Sequence, residues 1–364
     1  MAVQNLVLPL AYCVCCVQKV RPGTVILADG HSKARPQRMN CLFEALEKNG
    51  YEVTEWYRDF QDMSYGRALL SMLQFMKLYA AANFVVISDN FLPAASCRKR
   101  RKTWVIQLWH GCGAFKKFGY DTEDDIPKDY VGNVFRNYDL VPVSGPASVP
   151  AFSSAMHLKK GVCRPMGVSA TDPYFDEAYT LACREEFYAC CPEARGKKVL
   201  LWAPTFRGNP QSPSVPGISG MEALGSQLGE EWFVIIKYHP HMEEKGYVST
   251  VSLPGEKLLP VTDLLVTDYS SIVFNYSIYL RPMIFFAPDL KDYMDKRGFY
   301  LDYRTLPGRI VEREEELPGA VRSSLEQFDP EPVRQFREKY MGGCDGRATK
   351  RLIRWMDKRK LAKG

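Results

Sequence analysis

Short apolar runs alternate along the chain with longer segments whose apolar positions recur every three or four residues. The runs fall at 24–30 (TVILADG), 51–57 (YEVTEWY), 83–89 (NFVVISD), 103–111 (TWVIQLWHG) and 138–145 (YDLVPVSG), with helix-period segments at 37–49 and 64–82. Strand, helix, strand in this order predicts a parallel sheet with crossover helices, because each short run is apolar enough to be covered on both faces. A second set follows: a helix around 176–191, then apolar runs at 197–205, 231–241, 263–271 and 281–289. The Pro- and Gly-rich stretch at 161–173 predicts a boundary between the two sets, and 207–220 (RGNPQSPSVPGISG) a long exposed loop within the second. A basic helix is expected at about 345–360. The expectation is therefore an α/β protein with domains at 1–170 and 171–343, followed by a helical tail over 344–364.

The N-terminal NLVLPLAYCVCCV is apolar for thirteen residues, short of the roughly 20 that span a bilayer, and it lacks a basic n-region or small-residue cleavage site. It is expected as a helix that is either buried or laid on a membrane surface. With 46% apolar and 25% charged residues the chain has the balance of a globular protein. The net charge of +6 gathers in CRKRRK (97–102), FKKFGY (115–120) and 350–364. Such patches suit phosphates or anionic lipid, whereas nucleic acid is not expected, since the charges do not interleave with aromatics as a stacking surface would. Eleven cysteines are scattered through apolar segments without a secretory signal, which points to a reducing cytoplasm, and paired C-x-x-C knuckles for zinc are missing. No metal and no cofactor are expected. G-x-G-x-x-G after a strand and G-x-x-x-x-G-K-[ST] are both missing, which removes dinucleotide and P-loop nucleotide binding.

Ligands of open parallel sheets collect beyond the carboxyl ends of the strands, where this chain places WHG, APTFRG, KYHPH and TDYSS. His110 and His239 end predicted strands of different domains. A neutral imidazole can take a proton from an attacking hydroxyl, and a second can donate to phosphate oxygens. Arg207 and Lys237 would add positive charge at neighbouring strand ends. Asp268 would hold its turn or orient a histidine, and Ser270 or Ser271 would cap the following helix, whose remaining N–H groups suit an anion.

In this order and at these spacings, QLWHGCGAFKKFGY, LLWAPTFRG, VIIKYHPH, VTDYSSIVFNYSIYLRPMIFFAPD, RGFYLDY and CDGRATKRL resemble the CDP-glycerol glycerophosphotransferase family of teichoic acid and related wall-polymer synthesis. The resemblance covers the chain from about residue 100 onward; before that it rests on a short apolar lead, a strand and DGHSKARP. It implies a GT-B-like fold, two Rossmann-like domains facing a central cleft with a closing C-terminal helix. It implies transfer of a polyol phosphate, glycerol phosphate foremost, from a CDP-polyol to a lipid-linked saccharide or polyol-phosphate acceptor with release of CMP, at the cytoplasmic face of an anionic membrane. Carried onto this chain, His110 is the base and His239 a phosphate ligand; Thr267, Asp268, Ser270 and Ser271 lie at the pyrophosphate, with Gly111, Arg207, Lys237 and Pro240 in the donor-binding set. Where the family often has Thr-Pro-Leu after WHG, this chain has Cys112, Gly113 and Ala114, on the side expected to face the acceptor. The competing readings are a GT-B glycosyltransferase using a nucleotide sugar and a non-catalytic binder of anionic polymer.

Overall fold

The computed structural model describes residues 2–208 and 213–361. Two compact units emerge, one of Met1–Gly111, Phe118–Pro173 and Gly343–Gly364, the other of Cys112–Lys117 and Tyr174–Gly342.

The first unit is built on four parallel strands, β1 (Thr24–Asp29), β2 (Glu52–Tyr57), β3 (Phe84–Ile87) and β4 (Trp104–Gln107), in the order β2-β1-β3-β4. Every residue of β1 and β3 is buried, as strands covered on both faces require. The expected strand at 138–145 shrinks to β5 (Val141–Pro142), paired with β6 (Cys163–Arg164) and reached from β4 through an Ile106–Leu140 bridge. Pro142 brings no N–H to extend that ladder. Register sets the strand ends side by side: Asp29 lies opposite Tyr57, Ala28 opposite Ile87, and Ile87 opposite Gln107.

Helices Asn40–Lys48 and Tyr65–Ala81 provide the crossovers. The last helix, Ala348–Asp357, belongs to this unit. Its Leu352, Ile353, Trp355 and Met356 join Val25, Leu27, Leu42 and Val86 in one core. Its first N–H groups, of Ala348 and Thr349, donate to the carboxylate of Asp172 at 2.9 and 2.7 Å, a negative charge where the helix dipole favours one. The N-terminal segment is helical from Val3 to Cys15 and packs on Tyr65–Ala81 through Leu8 and Tyr12. Among the described residues no helix is long and apolar enough to cross a membrane.

The second unit carries β7 (Lys198–Ala203), β8 (Trp232–Ile236), β9 (Leu264–Thr267), β10 (Met283–Phe286) and β11 (Arg309–Val311), all parallel, in the order β11-β10-β9-β7-β8. The expectation of an exposed loop over 207–220 is corrected on both sides of residues 209–212, which lie outside the description. Arg207 and Ser214 exchange backbone hydrogen bonds of 2.7 and 3.1 Å, Val215 is buried in the core, and a helix starts at Ile218. Prolines and glycines there disguised two paired residues and a buried one. Gly217 sits at φ +80 against the Phe286 ring, where a Cβ would fall 2.2 Å from a ring carbon.

Residues 112–117, the segment that departs from the family's usual form, also belong to this unit. Lys116 pairs with Phe299 in an antiparallel bridge, Tyr300 N donates to Phe115 O at 2.9 Å, and Gly113, at φ +65, would place a Cβ 2.4 Å from the Phe274 ring.

Candidate functional site

In the first unit the chemistry sits where β3 and β4 end. Gln107 is fully buried, and its amide clamps both strand ends: Nε2 donates to Asp89 O and Tyr138 Oη, each at 3.0 Å, while Oε1 accepts from Trp109 N at 2.8 Å. Trp109 is thereby held at φ +62, a left-handed conformation costly for a bulky residue, on the order of 1–3 kcal/mol. Its ring is fixed against Phe118 at 5.0 Å and lies over the imidazole of His110 at 4.3 Å. The strained turn presents His110 outward, 47% exposed, with Nδ1 3.1 Å from Asp89 Oδ2.

Partial burial alone would raise the Asp89 carboxyl. The hydrogen bond and charge of His110, with the backbone N–H of Asn90, outweigh it and bring the carboxyl down to about 2. Asp89 therefore stays an anion at working pH and is placed to accept from Nδ1, which turns Nε2 away from the carboxylate. A histidine oriented by a carboxylate is the arrangement of a general base. Gly111, the last residue of this stretch in the first unit, follows directly. Sequence reasoning missed Asp89, although it ends the NFVVISD run.

In the second unit the ends of β7, β9 and β10 are tied together by Arg207. Its Nε and Nη2 grip Asp289 at 2.6 and 2.9 Å, and Nη1 donates to Asp268 Oδ2 at 2.9 Å and to Thr205 O. Four of its five donors are thus spent inside the protein. Tyr269 and Tyr293 flank the guanidinium at 4.7 and 5.0 Å. Asp268 also accepts from Thr205 N at 2.9 Å and Tyr269 N at 2.6 Å, so of its two expected roles it takes that of holding the turn. Tyr303 Oη donates to Asp268 O at 3.1 Å and Tyr269 Oη to Asp289 at 2.9 Å. Burial pushes both phenols well above their ordinary value, so they remain donors.

Thr267 lies fully inside the sheet and its hydroxyl donates to Ala203 O at 2.6 Å. Ser270 Oγ accepts from Ile272 N at 3.3 Å, the cap expected of one of the two serines, and Ser271 makes no side-chain cap. Both serines are partly exposed. At the end of β8, Lys237 is largely buried and bonded to Glu243 at 2.9 Å. Hydrogen bonds from Ser249 and Lys237 hold the Glu243 carboxyl below its usual value. His239 is exposed beside the Phe206 ring at 5.7 Å. Pro240 opens the short helix Pro240–Glu243; its side chain lies outside the description.

The profile of the CDP-glycerol:poly(glycerophosphate) glycerophosphotransferase family matches residues 10–357, so the likeness runs through the first unit as well, well before residue 100. The teichoic acid ribitol-phosphate primase of Bacillus spizizenii is 31% identical over 92% of this chain and 90% of its own length. The teichoic acid ribitol-phosphate polymerase TarL of Staphylococcus aureus is 33% identical over 79% of the chain, which spans 54% of that longer protein. Among solved structures, the wall teichoic acid polymerase TagF superposes with a TM-score of 0.76 at 19% identity, covering 96% of this chain and 93% of the other. The fold is accordingly the GT-B-like one, two Rossmann-like α/β units.

Proposed function

Because the chain belongs to the CDP-glycerol:poly(glycerophosphate) glycerophosphotransferase family, we propose that it transfers a polyol phosphate from a CDP-polyol to an acceptor hydroxyl, releasing CMP, with His110 of the first unit as general base. The observation that carries this reading is the 3.1 Å contact between His110 Nδ1 and the Asp89 carboxylate. It fixes the tautomer in which Nε2 takes the acceptor proton as the hydroxyl attacks the phosphorus of the polyol phosphate in line. The second unit binds the CDP-polyol. His239, exposed, and Ser270 and Ser271, partly exposed, meet the pyrophosphate and ease departure of CMP. Arg207 and Lys237, committed to carboxylates, brace that surface. Acceptor identity follows the family's chemistry: a lipid-linked saccharide or a polyol-phosphate chain.

The test is CMP release from CDP-glycerol and, separately, CDP-ribitol, with a lipid-linked saccharide acceptor. Glycerol phosphate is the sequence expectation and both named relatives carry ribitol in theirs, so each donor is an arm. We expect acceptor-dependent CMP from one donor, reduced about 10³-fold in His110→Ala. Turnover unchanged in the variant would remove the base; release of a nucleoside diphosphate from a nucleotide sugar would replace the reaction with glycosyl transfer.

The enzyme also works at an anionic membrane surface. Leu6, Leu10 and Val14 are 59%, 59% and 72% exposed, a stripe along the N-terminal helix, and Val17 just past its end is 88% exposed. The exposed Arg98, Arg101 and Lys102 lie beside it, since Arg100 N donates to Tyr12 Oη at 3.2 Å. Apolar insertion with flanking cations is the pattern of interfacial attachment. Co-sedimentation with phosphatidylglycerol vesicles at low salt, lost in a Leu10→Ser/Val14→Ser double variant, is expected; a wild-type protein that stays in the supernatant refutes it.

A further inference from the structure

Beyond the ends of β1 and β2 the first unit opens a cleft of about 490 Å³, away from the His110 turn, whose lining includes Lys33, Arg58, Asp59, Asp62 and Arg67. Resting on the reading of His110 as the base for an acceptor hydroxyl, we propose that this cleft binds an oxyanion of the acceptor, a phosphodiester or pyrophosphate group a short distance from the hydroxyl that reacts. Charge favours an anion. Lys33 pairs with Asp62, which leaves Arg58 and Arg67 against the single carboxylate of Asp59. Arg58 spends one donor on Tyr57 O at 2.7 Å and stacks over Trp56 at 5.4 Å, and among the described residues no carboxylate pairs with it. Arg67, exposed at the start of helix Tyr65–Ala81, forms no ion pair among the described residues.

A third guanidinium, Arg38, lies between this cleft and the end of β3. Arg38 is ion-paired through Nη2 with Asp29 Oδ2 at 3.1 Å, and among the described residues its buried Nε has no hydrogen-bond partner. Asp29 is buried and also accepts from Ser88 Oγ at 2.5 Å and His31 N at 2.8 Å, so its charge is set against Arg38 and not against Arg58 or Arg67. Register then fixes the reach. Tyr57 on β2 faces Asp29 on β1, and β1 neighbours β3, whose end holds Asp89 and through it His110. Two strand spacings, roughly 10 Å, reach Asp89, and His110, after β4, lies on the next strand. An acceptor that offers a terminal hydroxyl carries an oxyanion one saccharide or one repeat unit further inward, in that range. A phosphodiester chain and a lipid-linked pyrophosphate saccharide both meet this description, and their shared feature is the oxyanion.

Arg67→Gln is the decisive variant, because an exposed, unpaired side chain can change without disturbing the fold. With wild-type turnover in hand, the proposal predicts an acceptor KM raised about tenfold or more, as loss of a charge-assisted phosphate contact implies, with kcat and the KM for CDP-polyol unchanged and partial recovery in Arg67→Lys. Running the assay with a polyol-phosphate oligomer and with a lipid-linked saccharide shows which acceptor the cleft serves. An unchanged acceptor KM with both overturns the proposal, and a raised donor KM reassigns the cleft to the donor. If no donor turns over, the reading of His110 fails separately. Calorimetric binding of inorganic pyrophosphate, lost in Arg67→Gln, then still supports the anion site, and equal binding by both proteins overturns it.

Discussion

In the second unit Arg207 spends four donors on Thr205, Asp268 and Asp289, whereas in the first unit Arg38 spends one, on Asp29. The histidines differ in the same sense. His110 is locked by a carboxylate at the end of a neighbouring strand, while His239 precedes a helix of four residues and lies beside an aromatic ring. The same residue types at equivalent sheet edges thus build two kinds of surface. The second unit turns its strongest charges inward, so what it offers a ligand is hydroxyls and a histidine. The first leaves Arg58 and Arg67 without an ion pair among the described residues and fixes its imidazole. Rigidity is invested at the imidazole in one unit and, in the other, where a loop must hold its shape.

The largest effect expected from breaking that contrast is at Asp89. Asp89→Asn removes the acceptor that selects the His110 tautomer, and kcat should fall about 10²- to 10³-fold with substrate KM values little changed. The depressed carboxyl adds a stability term with a defined sign. A group held at about 2 against an ordinary 3.8 stabilises the fold at pH above 3.8 and loses that contribution as pH falls through about 2, so wild type and variant should differ in urea midpoint at pH 7 and converge near pH 2. Equal kcat in the two proteins would reduce Asp89 to a strand-end cap and dissolve the comparison.

Next comes Arg207. Arg207→Gln leaves Asp268 and Asp289 facing one another without a counter-charge, and the loss should be on the order of 3 kcal/mol. Arg207→Lys restores charge but not the two-point grip on Asp289 and should recover part of it. Urea unfolding reads both. If the midpoint stays in place while the KM for CDP-polyol rises, Arg207 is a ligand after all and the second unit resembles the first.

How much of this could be read from the sequence divides along a physical line. The parallel sheets followed from apolar runs, since burial on both faces is written residue by residue. The motifs at strand ends followed from topology, because chain direction alone decides which end of a strand collects ligands. Asp89 was not legible as a partner of His110: the two are neighbours only because β3 and β4 are adjacent, and strand order leaves no local mark. Arg207 was read as open charge because a lone arginine after a strand says nothing of where its carboxylates stand. The helix Ile218–Leu228 was taken in part for loop, since the glycine that lets it pack on Phe286 also looks like a turn.

Thr267 gives the smallest and sharpest test. The resemblance sets it at the pyrophosphate, yet it is the last residue of β9, opposite Phe285 on one side and Ala203 on the other, with its hydroxyl bonded to the Ala203 carbonyl and no exposed surface. A donor whose acceptor is a strand carbonyl inside the sheet cannot also reach a phosphate. Thr267→Val keeps the shape and removes the hydroxyl, leaving that carbonyl one partner short; the cost should be about 1 kcal/mol in urea unfolding, with the KM for CDP-polyol within twofold of wild type. Ser270→Ala, one turn of chain further on and partly open to solvent, should do the reverse, raising that KM at little cost in stability. The boundary between scaffold and ligand surface then falls between residues 267 and 270, where the strand ends. Should both substitutions raise the KM alike, the donor must reach past the sheet edge, and the inward-facing design of the second unit would not hold.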